Sequence, residues 1–250
     1  MRTRKSRQIE TSLDRLYETW VSVRKETVQR LGAQTALHLI NFHGNNCIDI
    51  SMWITNKYHR EQQFTITFIQ FIRLIKELHW LQFLFNYANY PVIYRNLRYV
   101  LEMMSQAWYL ESKYPYLHLN EQIEQIIEIE EAVFGWKLVR TVFSQVLGID
   151  DKDVEKKLKP MWTLLNKHVH SSAKQMNIVA EEDFPSLVTD SFNDNLARAT
   201  LAVADEVFDL IYVLVFKRFP LIAELALESE FINEWEEQLP YTMRTIKTLS

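Results

Sequence analysis

The sequence predicts an all-α fold, a single bundle-like domain of about seven to nine helices. Three observations carry this. Apolar residues recur three and four positions apart through most of the chain, the spacing of a helix that buries one face. Only 4 Gly and 6 Pro are spread over 250 residues, too few for the turns that a many-stranded sandwich needs. The third is core material, with 48% hydrophobic and 13% aromatic residues. No repeat and no linker-like stretch divides the chain, so 1–250 reads as one domain, with 1–8 a short basic flexible arm.

The elements follow in order. From Ile9 to Leu31, Ile9, Leu13, Leu16, Trp20, Val23 and Val28 keep helical spacing, and Gly32 stands at a C-cap. A second helical piece, Ala33 to Phe42, runs into His43-Gly44-Asn45-Asn46, the clearest turn signal in the chain. Cys47 to Tyr58 is ambiguous because Ile48, Ile50 and Met52 alternate as in a strand; we read it as helix. Phe64 to Tyr87 is strongly helical through Phe64, Phe68, Phe71, Ile72, Ile75, Leu78, Leu81 and Phe85. Ala88-Asn89-Tyr90-Pro91 breaks it, and the proline suits the first turn of a helix running to about Lys113.

Tyr114-Pro115 ends that helix, and Asn120 can cap the next, Glu121 to Leu147, with Gly148 after it. Asp150 or Asp151 begins a short helix, Asp153 to Leu158, and Pro160 opens the segment Met161 to Ser172. Residues 171–189 are polar and form the longest candidate loop. Asp190 or Ser191 caps a long helix to Phe219, Pro220 breaks it, and Leu221 to Leu239 is a last, acidic helix.

Charge and composition narrow the classes. The net charge is −4, and residues 1–7 carry four basic side chains, so the rest carries −8 (−4 less the arm's +4). An acidic body argues against nucleic-acid binding by global electrostatics. Cys47 is the only cysteine, which excludes an internal disulfide and suits a reducing cytosol. No apolar signal region follows Met1. The most hydrophobic stretch, Leu196 to Phe219, contains Arg198, Asp205, Glu206, Asp209, Lys217 and Arg218, so it reads as a core helix and not a span. The expectation is a cytoplasmic protein with no membrane association.

The densest group of chemical side chains is Asn166, Lys167, His168, His170, Ser171 and Ser172. Asn166 and His170, four apart, share a helical face. His168 and His170 point about 200° apart on a helix and cannot chelate one ion there. No His-Glu-x-x-His, paired cysteine, dense carboxylate set or Gly-rich phosphate loop is present, so no metal and no cofactor is assigned. A second group lies in Tyr94 to Glu111, where Arg98 and Glu102 stand four apart. An exposed pair of that spacing contributes a few tenths of a kcal/mol, roughly. Leu97, Val100, Leu101, Met104 and Ala107 crowd the same helix, however, and half-buried charges need partners.

Leu97-Arg98 with Glu102, and Leu165-Asn166-Lys167-His168-Val169-His170-Ser171-Ser172, together resemble the motifs of an uncharacterised group of prokaryotic helical proteins. That group is related to the HEPN superfamily (higher eukaryote and prokaryote nucleotide-binding domains), and the similarity spans about 64–219. The resemblance implies an up-and-down bundle that dimerises through the motif helices. Many members are metal-independent ribonucleases of toxin–antitoxin and anti-phage systems; others have lost catalysis and serve as binding or scaffold modules.

In an active member His170 would be the general acid or base and Arg98 would stabilise a pentavalent phosphate transition state. Asn166 would orient His170 or the phosphate, and Glu102 would hold Arg98. Active members also carry an arginine four to six residues before the histidine. Here Trp162 to Lys167 contains none, and Lys167 lies only three before His170. The favoured expectation is therefore a non-catalytic interaction or scaffold module, a homodimer pairing through the motif helices, in which these four residues form a buried polar network supporting the interface. The alternative is a HEPN-like ribonuclease or nucleotide-binding effector of a prokaryotic defence or stress system. The candidate partners are a second copy, another protein, and RNA or a nucleotide.

Overall fold

The computed structural model describes residues 4–59, 65–115, 119–121, 124, 135–167 and 192–250, with side chains from Asp14 onward. Every regular element among the described residues is helical. The first half contains α1 (Arg4–Leu31), α2 (Ala33–Ala36), a π-helical turn (Leu39–Gly44), α3 (Asn45–Lys57), α4 (Ile66–Asn86) and α5 (Tyr90–Lys113). Then come α6 (Gly135–Leu147), α7 (Asp151–Lys167) and α8 (Asp194–Arg218). A 3-10 turn (Pro220–Ile222), α9 (Ala223–Leu227), α10 (Ile232–Gln238) and α11 (Pro240–Leu249) complete the chain.

The all-α expectation holds, but the helical segments outnumber the seven to nine expected. The excess lies mostly at the C-terminal end, where one acidic helix over Leu221 to Leu239 was expected. Pro220 opens a 3-10 turn instead, and the Ser229 hydroxyl donates to the Ala226 carbonyl at 2.8 Å, closing α9 early. Pro240 then starts α11, a helix the spacing had not indicated.

α8 is the centre. Every residue from Val207 to Phe216 is buried, the signature of a helix covered on all sides. It packs against α4, α5, α6 and α11, and touches α1 and the π-helical turn. The buried apolar side chains form one large cluster running from Val23 to Ile246, with a small satellite at Ile66, Ala107 and Leu110. Burial of that extent contributes roughly 25 cal/mol for each Å² of apolar surface removed from water. No helix of the described residues is long and apolar enough to cross a membrane.

Polar joints fix the helix ends. Thr65 caps α4 by accepting from the Phe68 amide at 3.2 Å. The buried Glu111 carboxylate of α5 accepts from the Thr67 amide (2.8 Å) and hydroxyl (3.0 Å), and from Arg218 Nε at 2.6 Å. One carboxylate therefore joins the start of α4, the end of α5 and the end of α8. Asn193 caps α8 by accepting from the Leu196 amide at 2.9 Å, where Asp190 or Ser191 had been expected.

Two sequence signals are overridden. His43-Gly44-Asn45-Asn46 is not a turn: the backbone continues from the π-helical turn into α3, with Gly44 at φ −65°. His43 and Asn46 face inward instead, the Asn46 amide oxygen accepting from Trp235 Nε1 at 3.0 Å. Pro160 does not open a new segment, because α7 runs through it from Asp151 to Lys167. Val154, Leu158, Met161, Trp162 and Leu165 all bury on one face and hold that helix together across the lost hydrogen bond.

Candidate functional site

Arg98 and Glu102 lie one turn apart on α5, with Nη2 and Oε1 separated by 3.3 Å and side chains 19% and 20% exposed. Leu97, Val100, Leu101 and Met104 bury the adjoining face of α5 completely, which sets the pair at the rim of the core. The Arg98 guanidinium stacks over the Trp162 ring of α7 at 5.2 Å, and Trp162 leans on Trp136 of α6 with centroids 6.1 Å apart. Gly135, at φ 61°, brings the described start of α6 against both: a Cβ there would lie 3.8 Å from Glu102 Oε1 and 3.9 Å from Trp162. The pair is thus the joint of three helices. Arg98 Nε is buried without a hydrogen-bond partner among the described residues.

Asn166 is half-buried in the last turn of α7, one helical turn beyond Trp162 on the same face. His170, with His168, Ser171 and Ser172, lies outside the described residues, as does the expected loop at 171–189. The structure therefore brings Arg98 and Glu102 together and adds Trp162.

A second polar group was not singled out by the sequence. The Nε2 atoms of His38 and His43 lie 2.8 and 2.9 Å from the same Asp205 oxygen, Oδ1. The three donor atoms all fall within 4.8 Å of one another. In an α-helix residues five apart point about 140° away from each other; the π-helical turn, whose hydrogen bonds reach five residues, stacks His38 and His43 on one side instead. Asp205 comes from α8. His43 is fully buried, while His38 and Asp205 keep 22% and 29% exposure.

Behind His43, its Nδ1 lies 3.0 Å from the Tyr212 hydroxyl, which itself donates to the His43 carbonyl at 3.2 Å. Burial pushes the His43 imidazole below its ordinary pKa, against the pull of the Asp205 carboxylate. Burial alone would raise Asp205, but its hydrogen bonds to both histidines prevail and hold it at about 2. The only sequence trace of this cluster was a carboxylate inside the most hydrophobic stretch, which served there merely to exclude a membrane span.

An exposed aromatic face lies on α1 and α4. Ile69, Ile72, Trp80 and Phe83 fall within one narrow wedge of α4 and are 36%, 44%, 47% and 45% exposed. Trp80 stacks on Phe83 (5.3 Å), Phe83 meets Tyr87 (4.7 Å), and Tyr87 meets Trp20 of α1 edge-on (5.8 Å). Beside them Tyr17, Val21, Val28 and Tyr87 line a groove of about 400 Å³.

No family model, no curated protein and no solved structure matches the chain. The HEPN resemblance therefore rests on the motif residues themselves.

Proposed function

We propose that the chain is a non-catalytic helical interaction module, HEPN-like at its motif helix, that pairs with a second copy through the α1–α4 face. The observation that carries this reading is the exposed Trp80–Phe83 stack, continued by the half-buried Tyr87 and Trp20 and flanked by the exposed Tyr17 and Val21. Contiguous apolar surface of that kind marks contact sites more often than free surface. α1 and α4 have 28 and 21 residues, long enough for two such faces to meet about a twofold axis as a four-helix contact. Arg24 and Lys25 line the groove beside Tyr17 and Val21. The motif pair Arg98–Glu102 is taken up inside the chain by Trp162, which supports a structural role for it.

Cross-linking tests the contact. Cys47 is fully buried and burial pushes its thiol up to about 12, so an introduced surface cysteine is the only reactive one. Phe83→Cys treated with a short bis-maleimide is expected to give a covalent dimer, while a cysteine at the exposed Leu221 is not. Equal yields from both positions would contradict the proposal.

One observation favours a second reading: Arg98 Nε keeps a buried donor without a partner among the described residues, which a phosphate oxygen would satisfy. In that reading the chain is a metal-independent ribonuclease using His170, Arg98, Asn166 and Glu102. Chelator-resistant cleavage of end-labelled RNA, abolished in His170→Ala and Arg98→Ala at unchanged helicity, is the outcome it requires. The interaction reading expects no cleavage by any of the three proteins.

A further inference from the structure

His38 Nε2, His43 Nε2 and Asp205 Oδ1 converge to within 4.8 Å of one another. The Tyr212 hydroxyl donates to the His43 carbonyl, and its oxygen can receive the His43 Nδ1–H in the tautomer that carries it. A neutral imidazole has a single N–H. With that hydrogen on Nδ1, His43 Nε2 presents a lone pair to the site; with it on Nε2, the ring donates to Asp205 Oδ1 at 2.9 Å. The same oxygen is 2.8 Å from His38 Nε2. A cation can take several lone pairs from these atoms at once.

We propose that His38 Nε2, His43 Nε2 and one carboxylate oxygen of Asp205 bind a first-row divalent transition-metal cation, with zinc as its probe. Two imidazoles and a carboxylate are a donor set that zinc accepts while keeping a fourth position for water or a ligand. Metal–ligand bonds of about 2.0–2.2 Å place tetrahedral donors roughly 3.3–3.5 Å apart. The two histidine–carboxylate separations, 2.8 and 2.9 Å, need a slight opening at Asp205 to reach that, and the two Nε2 atoms already lie within 4.8 Å of each other. Tyr212 supplies what a histidine ligand needs on its far side, a partner that fixes Nδ1–H and leaves Nε2 free.

Access is present as well. His38 also lines a surface pocket of about 360 Å³ with Gln34, Asn41 and Glu234, so an ion has a route from solvent. A bound cation would clamp the π-helical turn to α8, coupling metal binding to stability. This inference is independent of the self-association proposed above.

The test uses the full chain stripped with chelator and dialysed. Zinc is titrated in competition with a chromophoric chelator, and the melting temperature is followed in parallel. The expected result is one zinc per chain and a raised melting temperature. His38→Ala and Asp205→Asn are each expected to weaken binding at least tenfold and to abolish the thermal shift. His38 is partly exposed, so its variant is the one chosen to keep the fold, checked by circular dichroism. His79→Ala, at an exposed ring bonded to the Ile75 carbonyl of its own helix, should bind zinc as the wild type does. Absence of stoichiometric zinc in the wild type, or zinc binding unchanged in folded His38→Ala, would overturn the site.

Discussion

Asp209 is 1% exposed on α8 and accepts from the amides of Tyr241 (2.9 Å) and Thr242 (2.7 Å) in the first turn of α11. Leu239, the residue preceding that helix, has no side chain able to cap it, so the carboxylate of a distant helix does so. Burial nevertheless prevails over these bonds and raises the Asp209 carboxyl from 3.8 to about 6. The folded protein thus holds this proton between about pH 4 and 6 while the unfolded chain has released it. Raising the pH through that window removes stability, by about 3 kcal/mol in all, with no further loss from this group above it. Urea midpoints at pH 4.5 and 7 are expected to fall more steeply for the wild type than for Asp209→Asn; equal slopes would refute the assignment. At this scale the sequence was partly legible. Arg98 and Glu102 are four apart on one helix, so their pairing followed from spacing. The His38–His43–Asp205 cluster did not, because Asp205 stands more than 160 positions from either histidine and is joined to them only by the fold.

At the scale of elements, α4 and α5 were readable nearly to their ends, since their apolar periodicity and the Asn89-Tyr90-Pro91 break agree with each other. The errors share one cause: a local signal lost to tertiary anchoring. Gly44 marks a turn in isolation, but His43 and Asn46 on either side are held inside by Asp205, Tyr212 and Trp235, and the chain stays helical. Pro160 marks a boundary in isolation, but five buried side chains keep α7 continuous. An exposed proline within a helix removes one backbone bond and crowds the preceding turn. Pro160→Ala is therefore expected to raise the unfolding free energy by about 1–3 kcal/mol, measured by urea denaturation. A loss of stability would show that the proline is required for the path of α7.

For the whole molecule, the all-α class and the burial of α8 were legible because charge-poor runs and scarce glycine act over the full length. The exposed face was less so. Trp80 and Phe83 carry the same helical spacing as core residues, and only the packing of α1 against α4 shows which side faces solvent. That face is the basis of the proposed function. Sedimentation equilibrium over a range of micromolar concentrations tests it most directly, comparing wild type with Trp80→Ser/Phe83→Ser at matched helicity. The account predicts a wild-type mass of twice the chain and a monomeric double variant. A monomeric wild type, or a dimer that survives both substitutions, would contradict it.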